Sequence, residues 1–323
     1  MKRAVLFALL FTLLPTSAWA EKPNTVRVES SESGARLLVD NKPFMVLGMN
    51  WGYIPVGHNY SYDLWGKSDT FIKEVLEREL RLLADMGANA IRQYDNIPPK
   101  WVTYIYKTYG IYTAVNPLLG RYGHMVDGAF VNPIDYSKPS HREAILASLK
   151  ASVARYHNTP GVLMWLLGNE SNYGLHWTSF EIEALPEGER NQAKATHLYT
   201  LFGDAIKIIK AKDNHHPISL TNGDLQYLDL IKKHCKGLDI MGSNVYRGRS
   251  ATDLYARVWK ELKLPFVYTE FGADAYNAKT AQEDHLAQAS YLKDQWREIY
   301  EQSFGKGQVG NAIGGFVFQW SDG

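Results

Sequence analysis

The chain alternates two kinds of segment. Short apolar runs end in polar clusters at Met45–Asn50, Ala90–Tyr94, Ile111–Asn116, Leu163–Gly168, Ile218–Asn222, Ile240–Asn244, Phe266–Thr269 and Gly315–Trp320. A strand buried on both faces of a parallel sheet reads as a continuous apolar run, so these eight are strand candidates. The clearest is LMWLL at 163–167, which runs straight into Gly168, Asn169 and Glu170. Between the runs lie amphipathic stretches at Phe71–Met86, Pro99–Tyr109, His141–Tyr156, Gln192–Lys212, Leu225–Lys233, Thr252–Leu262 and Gln282–Gln302. Leu76, Leu80 and Leu83 follow helical spacing. Strand and helix alternating in this number predict an α/β fold, a (β/α)8 TIM barrel over residues 41–323, rather than a doubly wound open sheet. The segment LGMNWGYIP after the first strand contains no G-x-G-x-x-G and no phosphate loop, which disfavours the open-sheet alternative.

Ahead of the barrel, VRVES and ARLLVD predict a short two-stranded lead-in within residues 21–40, turning between Ser30 and Gly34. The pattern reaches its eighth strand without a closing helix, so we expect either a longer protein or a barrel closed by something outside these residues. The first residues, MKRAVLFALLFTLLPTSAWAEKP, place Lys2 and Arg3 before a short apolar stretch and Ala18-Trp19-Ala20 at its end. This is the pattern of a secretory signal, residues 1–20, cleaved after Ala20. We therefore expect an exported protein, periplasmic or extracellular, with no membrane span after cleavage.

A net charge of +1 leaves no basic excess for a nucleic-acid partner. Cys235 is the only cysteine, so internal disulfides and cysteine-based metal sites are excluded; its IKKHCKG setting reads as structural. The 9 Trp and 20 Tyr can serve as core, and they are also the side chains on which sugar rings stack.

The predicted C-terminal strand ends carry the chemistry. Glu170 follows the fourth strand and Glu270 the seventh, both after buried runs, on the rim where barrels of this kind place their active sites. Two carboxyl groups across a cleft, one protonated and one ionised, are the machinery of glycoside hydrolysis. Arg92 and Tyr246 are placed to hold Glu270 ionised as the nucleophile, and Asn169 to bond a sugar hydroxyl. Glu170, expected in a more apolar setting beside Trp177, is the candidate acid. Trp51, Tyr53, Tyr122, Tyr173 and Trp177 share the rim as candidate sugar platforms. His58, His124 and His176 lie in loops after strands one, three and four, positions compatible with cleft or solvent. His215-His216 are adjacent on a turn and point apart, which argues against a metal pair. Asp322 is a candidate sugar contact or a loop cap. No cofactor or metal is expected.

The motifs WLLGNE, FVYTEFG, NAIRQY, SNVY and GGFVFQWSDG resemble clan A of the retaining glycoside hydrolases, and the first, second and last are most similar to the barrel domain of family 2. The likeness spans roughly residues 40–323. It implies Glu170 as acid/base, Glu270 as nucleophile, Asn169 as a 2-hydroxyl ligand, Arg92 and Tyr246 as nucleophile supports, and Trp320 as the floor of the sugar site. It also implies retention through a covalent glycosyl-enzyme, with carboxyl groups about 5–5.5 Å apart. Family 2 members commonly carry β-sandwich domains ahead of the barrel, whereas here about twenty residues separate the signal from the first strand. LADMGANAIRQY and YTEFG also resemble family 72, whose members rearrange β-1,3-glucan chains. The expected activity is thus hydrolysis of a β-linked oligo- or polysaccharide. The alternatives are a β-glucan transglycosylase and, from another class, a non-catalytic glycan-binding barrel.

Overall fold

The computed structural model describes residues 22–94 and 97–321. The expected signal segment and Asp322 lie outside the described residues. The lead-in is a three-stranded antiparallel sheet, Val26–Ser31, Gly34–Val39 and Lys42–Phe44, one strand more than the sequence pattern predicts. Lys42 and Pro43 are exposed, which hides the third strand from any hydrophobic count. Ala35 donates its amide to the Gly310 carbonyl at 2.9 Å. A Cβ on Gly34, at φ 125°, would come within 2.1 Å of that same oxygen, so only glycine fits the approach.

The eight barrel strands are β1 (Val46–Asn50), β2 (Ala90–Arg92), β3 (Tyr112–Val115), β4 (Val162–Leu167), β5 (Ile218–Leu220 continued by Asn222–Gly223), β6 (Met241–Asn244), β7 (Phe266–Phe271) and β8 (Ala312–Val317). All pair in parallel. The sheet closes on itself: the first half of β5 pairs with β4, the second half with β6, and Ser219 bridges Ile240. Around it run α1 (Asp69–Asp85), α2 (Pro99–Tyr109), α3 (Pro139–Tyr156), α4 (Glu187–Lys210), α5 (Leu228–His234), α6 (Leu254–Leu262) and α7 (His285–Glu301).

Helix boundaries follow local chemistry. Ser68 caps α1, accepting from the Phe71 amide at 3.3 Å, and Ile72, Val75, Leu76, Leu80 and Leu83 form its buried face. Pro99 opens α2 and Gly110 ends it at φ 70°. Three helices start later than the apolar pattern predicts, α6 by two residues and α5 and α7 by three. Before α5, the Asn222 side-chain amide donates to the carbonyls of Asp224 and Gln226 and holds 224–226 in a turn. Before α7, Gln282 and Glu283 pair with Tyr276 and Asn277, and Asp284 caps the helix through the Ala287 amide.

The interior of the barrel is apolar at one end and polar at the other. Val46, Ala90, Ala114, Met164, Ile240, Val267 and Phe316 pack with Val26, Leu37 and Val39 of the lead-in, which therefore plugs the N-terminal mouth. Burying Leu37 and Val39 contributes on the order of 2 kcal/mol each. A second, larger core lies between strands and helices and includes Trp165, Leu167, Leu198 and Ile206. The C-terminal mouth is left to asparagines, an arginine and two glutamates.

Candidate active site

β4 is buried along its whole length and delivers Glu170 to the C-terminal mouth. The backbone at Glu170 is left-handed, φ 49° and ψ 37°, an uncommon conformation for a residue with a Cβ. It is fixed from three sides. The Glu170 amide donates to the Thr221 carbonyl at 2.8 Å, and its carbonyl accepts from the Tyr173 amide at 2.9 Å and from Arg121 Nε at 3.1 Å. The peptide is thus held where the side chain can face the cleft.

Glu270 lies within β7 rather than beyond it, since the strand continues to Phe271. Its carboxyl meets donors only. Arg92 Nη1 reaches Oε1 at 3.0 Å, the Tyr94 hydroxyl donates a short bond to the same oxygen, and the Tyr246 hydroxyl reaches Oε2 at 2.9 Å. A group that only accepts is an ionised carboxylate. Both phenols are pushed up by burial and by the Glu270 charge, so they remain protonated donors. Arg92, the last residue of β2, is completely buried. Its Nε donates to Asn116 Oδ1 at 2.9 Å, Nη1 also to the Thr269 carbonyl at 2.9 Å, and Nη2 to Asn169 Oδ1 at 2.8 Å.

Asn244, at the end of β6, ties the two halves together. Its amide donates to Asn169 Oδ1 at 3.1 Å and to Glu170 Oε1 at 3.2 Å, while its oxygen accepts from the Thr269 hydroxyl at 2.7 Å. A continuous chain therefore runs Glu270–Arg92–Asn169–Asn244–Glu170. The ends of that chain differ in chemistry. Burial pushes the Glu170 carboxyl up, the Glu270 charge adds to the rise, and the Asn244 donation, with Arg121 and Arg92, only partly opposes it.

Above this network opens a cleft of about 800 Å³. Glu170, Glu270, Asn169, Tyr53 and Tyr122 line it, and Trp51 borders it with only 1% of its surface exposed, too little for a sugar platform. Asn169 reaches the Tyr122 hydroxyl at 2.8 Å, and the Tyr53 hydroxyl accepts from Arg78 Nη2 at 3.1 Å. Tyr246, 52% exposed, stands at Glu270. Other expectations require correction. Trp177 is only 2% exposed and packs against His197 and Lys194 of α4, so it belongs to the outer core and is not a sugar platform. Trp320 is not a cleft-lining residue: its indole N–H turns to Glu79 of α1 at 2.6 Å, and Phe318 and Gln319 line the cleft in its place. Tyr173 is 41% exposed but lies over Gly223, outside the cleft lining.

The histidines divide. The His58 ring meets Tyr62 edge-on at 4.9 Å beside the cleft, His124 reaches the Ala144 carbonyl at 3.3 Å and faces α3, and His176 is exposed. His216 is buried with its Nδ1 2.9 Å from Asp213 Oδ2, an oxygen that also accepts from the Trp165 indole, while its neighbour's ring lies 6.2 Å away. The Cys235 thiol is buried and pushed up to about 12, as its structural reading requires.

Several functional groups carry no role in the sequence reading. Tyr94 is two residues beyond Arg92, and alternation along a strand puts both on one side; that spacing was the available signal. Asn50 and Asn244 end β1 and β6 and Asn116 follows β3, a recurrence of Asn after apolar runs that is visible in the sequence. Tyr60, Tyr62, Asp63 and Trp65 line the cleft from the loop between β1 and α1, where no periodicity points to them.

Comparison with known proteins agrees with this fold. Residues 31–308 match the family described as glycosyl hydrolases family 2, TIM barrel domain. A β-galactosidase of Actinobacillus pleuropneumoniae is 22% identical over 277 residues, covering 76% of this chain and 22% of that protein. A β-galactosidase of Leuconostoc mesenteroides is 24% identical over 143 residues, 43% of this chain and 12% of that protein. Among solved structures, a β-glucuronidase of Bacteroides uniformis superposes with a TM-score of 0.64 at 15% identity, covering 91% of this chain and 32% of that one. A family 2 β-galacturonidase of Eisenbergiella tayi gives 0.60 at 16% identity, covering 92% and 46%. The chain thus spans less than half the length of each of these relatives, and the structural likenesses speak for the fold alone. The match over most of its length shows that the chain belongs to glycosyl hydrolase family 2, whose TIM barrel domain it contains.

Proposed function

We propose that this barrel cleaves a β-linked glycan by double displacement, with retention of configuration and without a cofactor. One observation carries the reading. The two glutamates sit in a single hydrogen-bonded chain, yet one meets only donors and the other is raised by burial. That is the division of labour between a nucleophile and an acid/base. In the first step a Glu270 oxygen attacks the anomeric carbon, the glycosidic C–O bond breaks, and the Glu170 proton goes to the leaving oxygen. Oε2, which carries only the Tyr246 hydroxyl, is the less encumbered attacker. In the second step water attacks the same carbon, Glu170 takes its proton, and the bond to Glu270 breaks. Asn169, anchored through its oxygen by Arg92 and Asn244, is positioned to contact the sugar beside the reacting carbon. The N-terminal sequence supports a site of action outside the cytoplasm.

The test is a pair of isosteric variants on aryl and natural β-glycosides. Glu270→Gln should abolish turnover of every substrate. Glu170→Gln should cripple natural glycosides, whose leaving groups need the proton, and largely spare kcat/KM on aryl glycosides whose leaving groups do not, while lowering their kcat because water loses its base. Wild-type activity of Glu270→Gln on any substrate, or of Glu170→Gln on natural glycosides, would refute the assignment.

A further inference from the structure

The names of the relatives divide between neutral and acidic sugars, so they leave open which the cleft accepts. The cleft itself is more decisive. Half of its lining comes from one stretch, Trp51 to Trp65, between β1 and α1. That stretch brings Tyr60, Tyr62 and Trp65, with the buried Trp51 ring 6.3 Å from that of Trp65, and one charged group, Asp63. Asp63 Oδ1 accepts from the Gly66 amide at 3.0 Å, which fixes the carboxylate in its turn. Among the described residues, the ionisable carboxyl and basic side chains that line the cleft are Glu170, Glu270 and Asp63, all acidic. No lysine or arginine is among the described lining residues: beside the cleft, Lys67 lies over the Tyr62 ring at 5.1 Å and Arg78 bonds the Tyr53 hydroxyl and Glu79. Arg92 is wholly buried and spends its guanidinium on Glu270, Asn116, Asn169 and the Thr269 carbonyl. Arg121 stacks on Tyr122 at 4.9 Å and gives its Nε to the Glu170 carbonyl.

Resting on the glycosidase reading above, we propose that the site selects an uncharged pyranoside and discriminates against uronides, with Asp63 as a specificity-determining residue. A sugar carboxylate entering this cleft would leave water and meet the carboxylates of Glu270 and Asp63 with no cation in the described lining, which costs more than an exposed pairing returns. A neutral sugar has what the walls ask for. Its apolar C–H face packs on indole and phenol rings, and its hydroxyls donate to carboxylate oxygens such as Asp63 Oδ2.

The experiment compares kcat/KM on aryl β-glucoside, galactoside and mannoside with aryl β-glucuronide and galacturonide, for wild type and Asp63→Asn. Asparagine keeps the acceptor that holds the Gly66 amide and removes the charge. At least one neutral glycoside should exceed both uronides by more than about 100-fold. Asp63→Asn should narrow that ratio by about tenfold, chiefly through a lower KM for the uronide. A uronide turned over as well as the best neutral glycoside overturns the proposal, and an unchanged ratio in Asp63→Asn overturns the part given to Asp63. If wild type cleaves no glycoside, the hydrolase reading fails, and indole fluorescence, reported by Trp51 and Trp65, still decides the specificity. Quenching by neutral disaccharides but not by uronides upholds the selection; quenching by uronides, or by neither, overturns it.

Discussion

Replacing Arg92 by methionine isolates the strongest interaction in the site. The side chain is completely buried and Glu270 is nearly so, so the pair cannot fall back on solvent. Each acceptor that Arg92 serves can be followed after its loss. Glu270 Oε1 keeps the Tyr94 hydroxyl, Asn169 Oδ1 keeps the Asn244 amide, Asn244 Oδ1, which Arg92 reaches at 3.4 Å, keeps the Thr269 hydroxyl, and the Thr269 carbonyl keeps Asn50 Nδ2 at 3.1 Å. Asn116 Oδ1 loses its donor. Stranding a buried carboxylate costs about 3–5 kcal/mol, and an orphaned acceptor adds about 1–3 kcal/mol. The surviving tyrosine donors soften the first of these, so we expect Arg92→Met to lose about 4 kcal/mol of stability. That is a large share of the roughly 5–15 kcal/mol available to a folded domain. The assay is urea unfolding at pH 7, with midpoint and slope fitted together. Adding Glu270→Gln to Arg92→Met removes the stranded charge and should recover at least about 2 kcal/mol. A loss below about 1 kcal/mol in the single variant, or no recovery in the double, would refute the claim that this ion pair organises the barrel mouth.

Glu170→Gln should stabilise the fold at neutral pH. A carboxyl raised in the folded state costs stability above its unfolded value, so the thermal midpoints of variant and wild type should converge in acid and separate as pH rises through the raised value; separation in the opposite sense would sink this reading. Asp213 behaves inversely. Burial pushes its carboxyl up, but His216, the Trp165 indole and the His215 amide outweigh that and leave it below the usual range. Asp213→Asn should therefore lose roughly 2 kcal/mol at pH 7, with the deficit closing as pH falls through the depressed folded value; a deficit that grows in acid would contradict it. Asn244→Ala withdraws the donor that favours the charged form of Glu170, so the alkaline limb of kcat/KM should move to higher pH. An unmoved or lowered limb would exclude Asn244 from tuning the acid.

The strands and helices were legible because both of their faces answer to simple rules. LMWLL reads as β4 since a parallel strand sandwiched between layers has no polar face to show. Leu76, Leu80 and Leu83 mark α1 because one stripe faces the sheet. Glu170 and Glu270 stood out for the same reason: a carboxylate that ends an apolar run sits at the mouth of the barrel. What failed was burial decided by distant segments. Trp177 follows Glu170 by only seven positions, yet the chain turns it toward α4, and its depth depends on Lys194 and His197. Trp320 likewise depends on Glu79, more than two hundred residues earlier in the chain. The lining contributed by Tyr60, Tyr62 and Asp63 was invisible because a loop has no period to betray which of its residues face a cavity.

The asparagines explain why this mouth is rigid enough for chemistry. A parallel ladder that closes into a barrel slips where its strands flare, and the register shifts at Ser243/Asn244 and between Tyr268 and Phe271. Slippage leaves backbone carbonyls without ladder partners, and burying them unpaired would be costly. Asn116 answers the carbonyls of Leu166 and Gly168 at 2.9 and 2.8 Å, and Asn50 answers that of Thr269, the residue before Glu270. Each then offers its remaining atoms to the site: Asn116 Oδ1 holds Arg92, and Asn50 and Gln319 line the cleft floor. The groups that satisfy the frame therefore also aim the two glutamates, so stability and geometry are lost together when one is removed. Beyond Trp51, whose amide still donates to the Arg92 carbonyl at 2.9 Å, the loop to Trp65 lies outside the ladder, a place where a barrel can vary what its site receives without disturbing the strands.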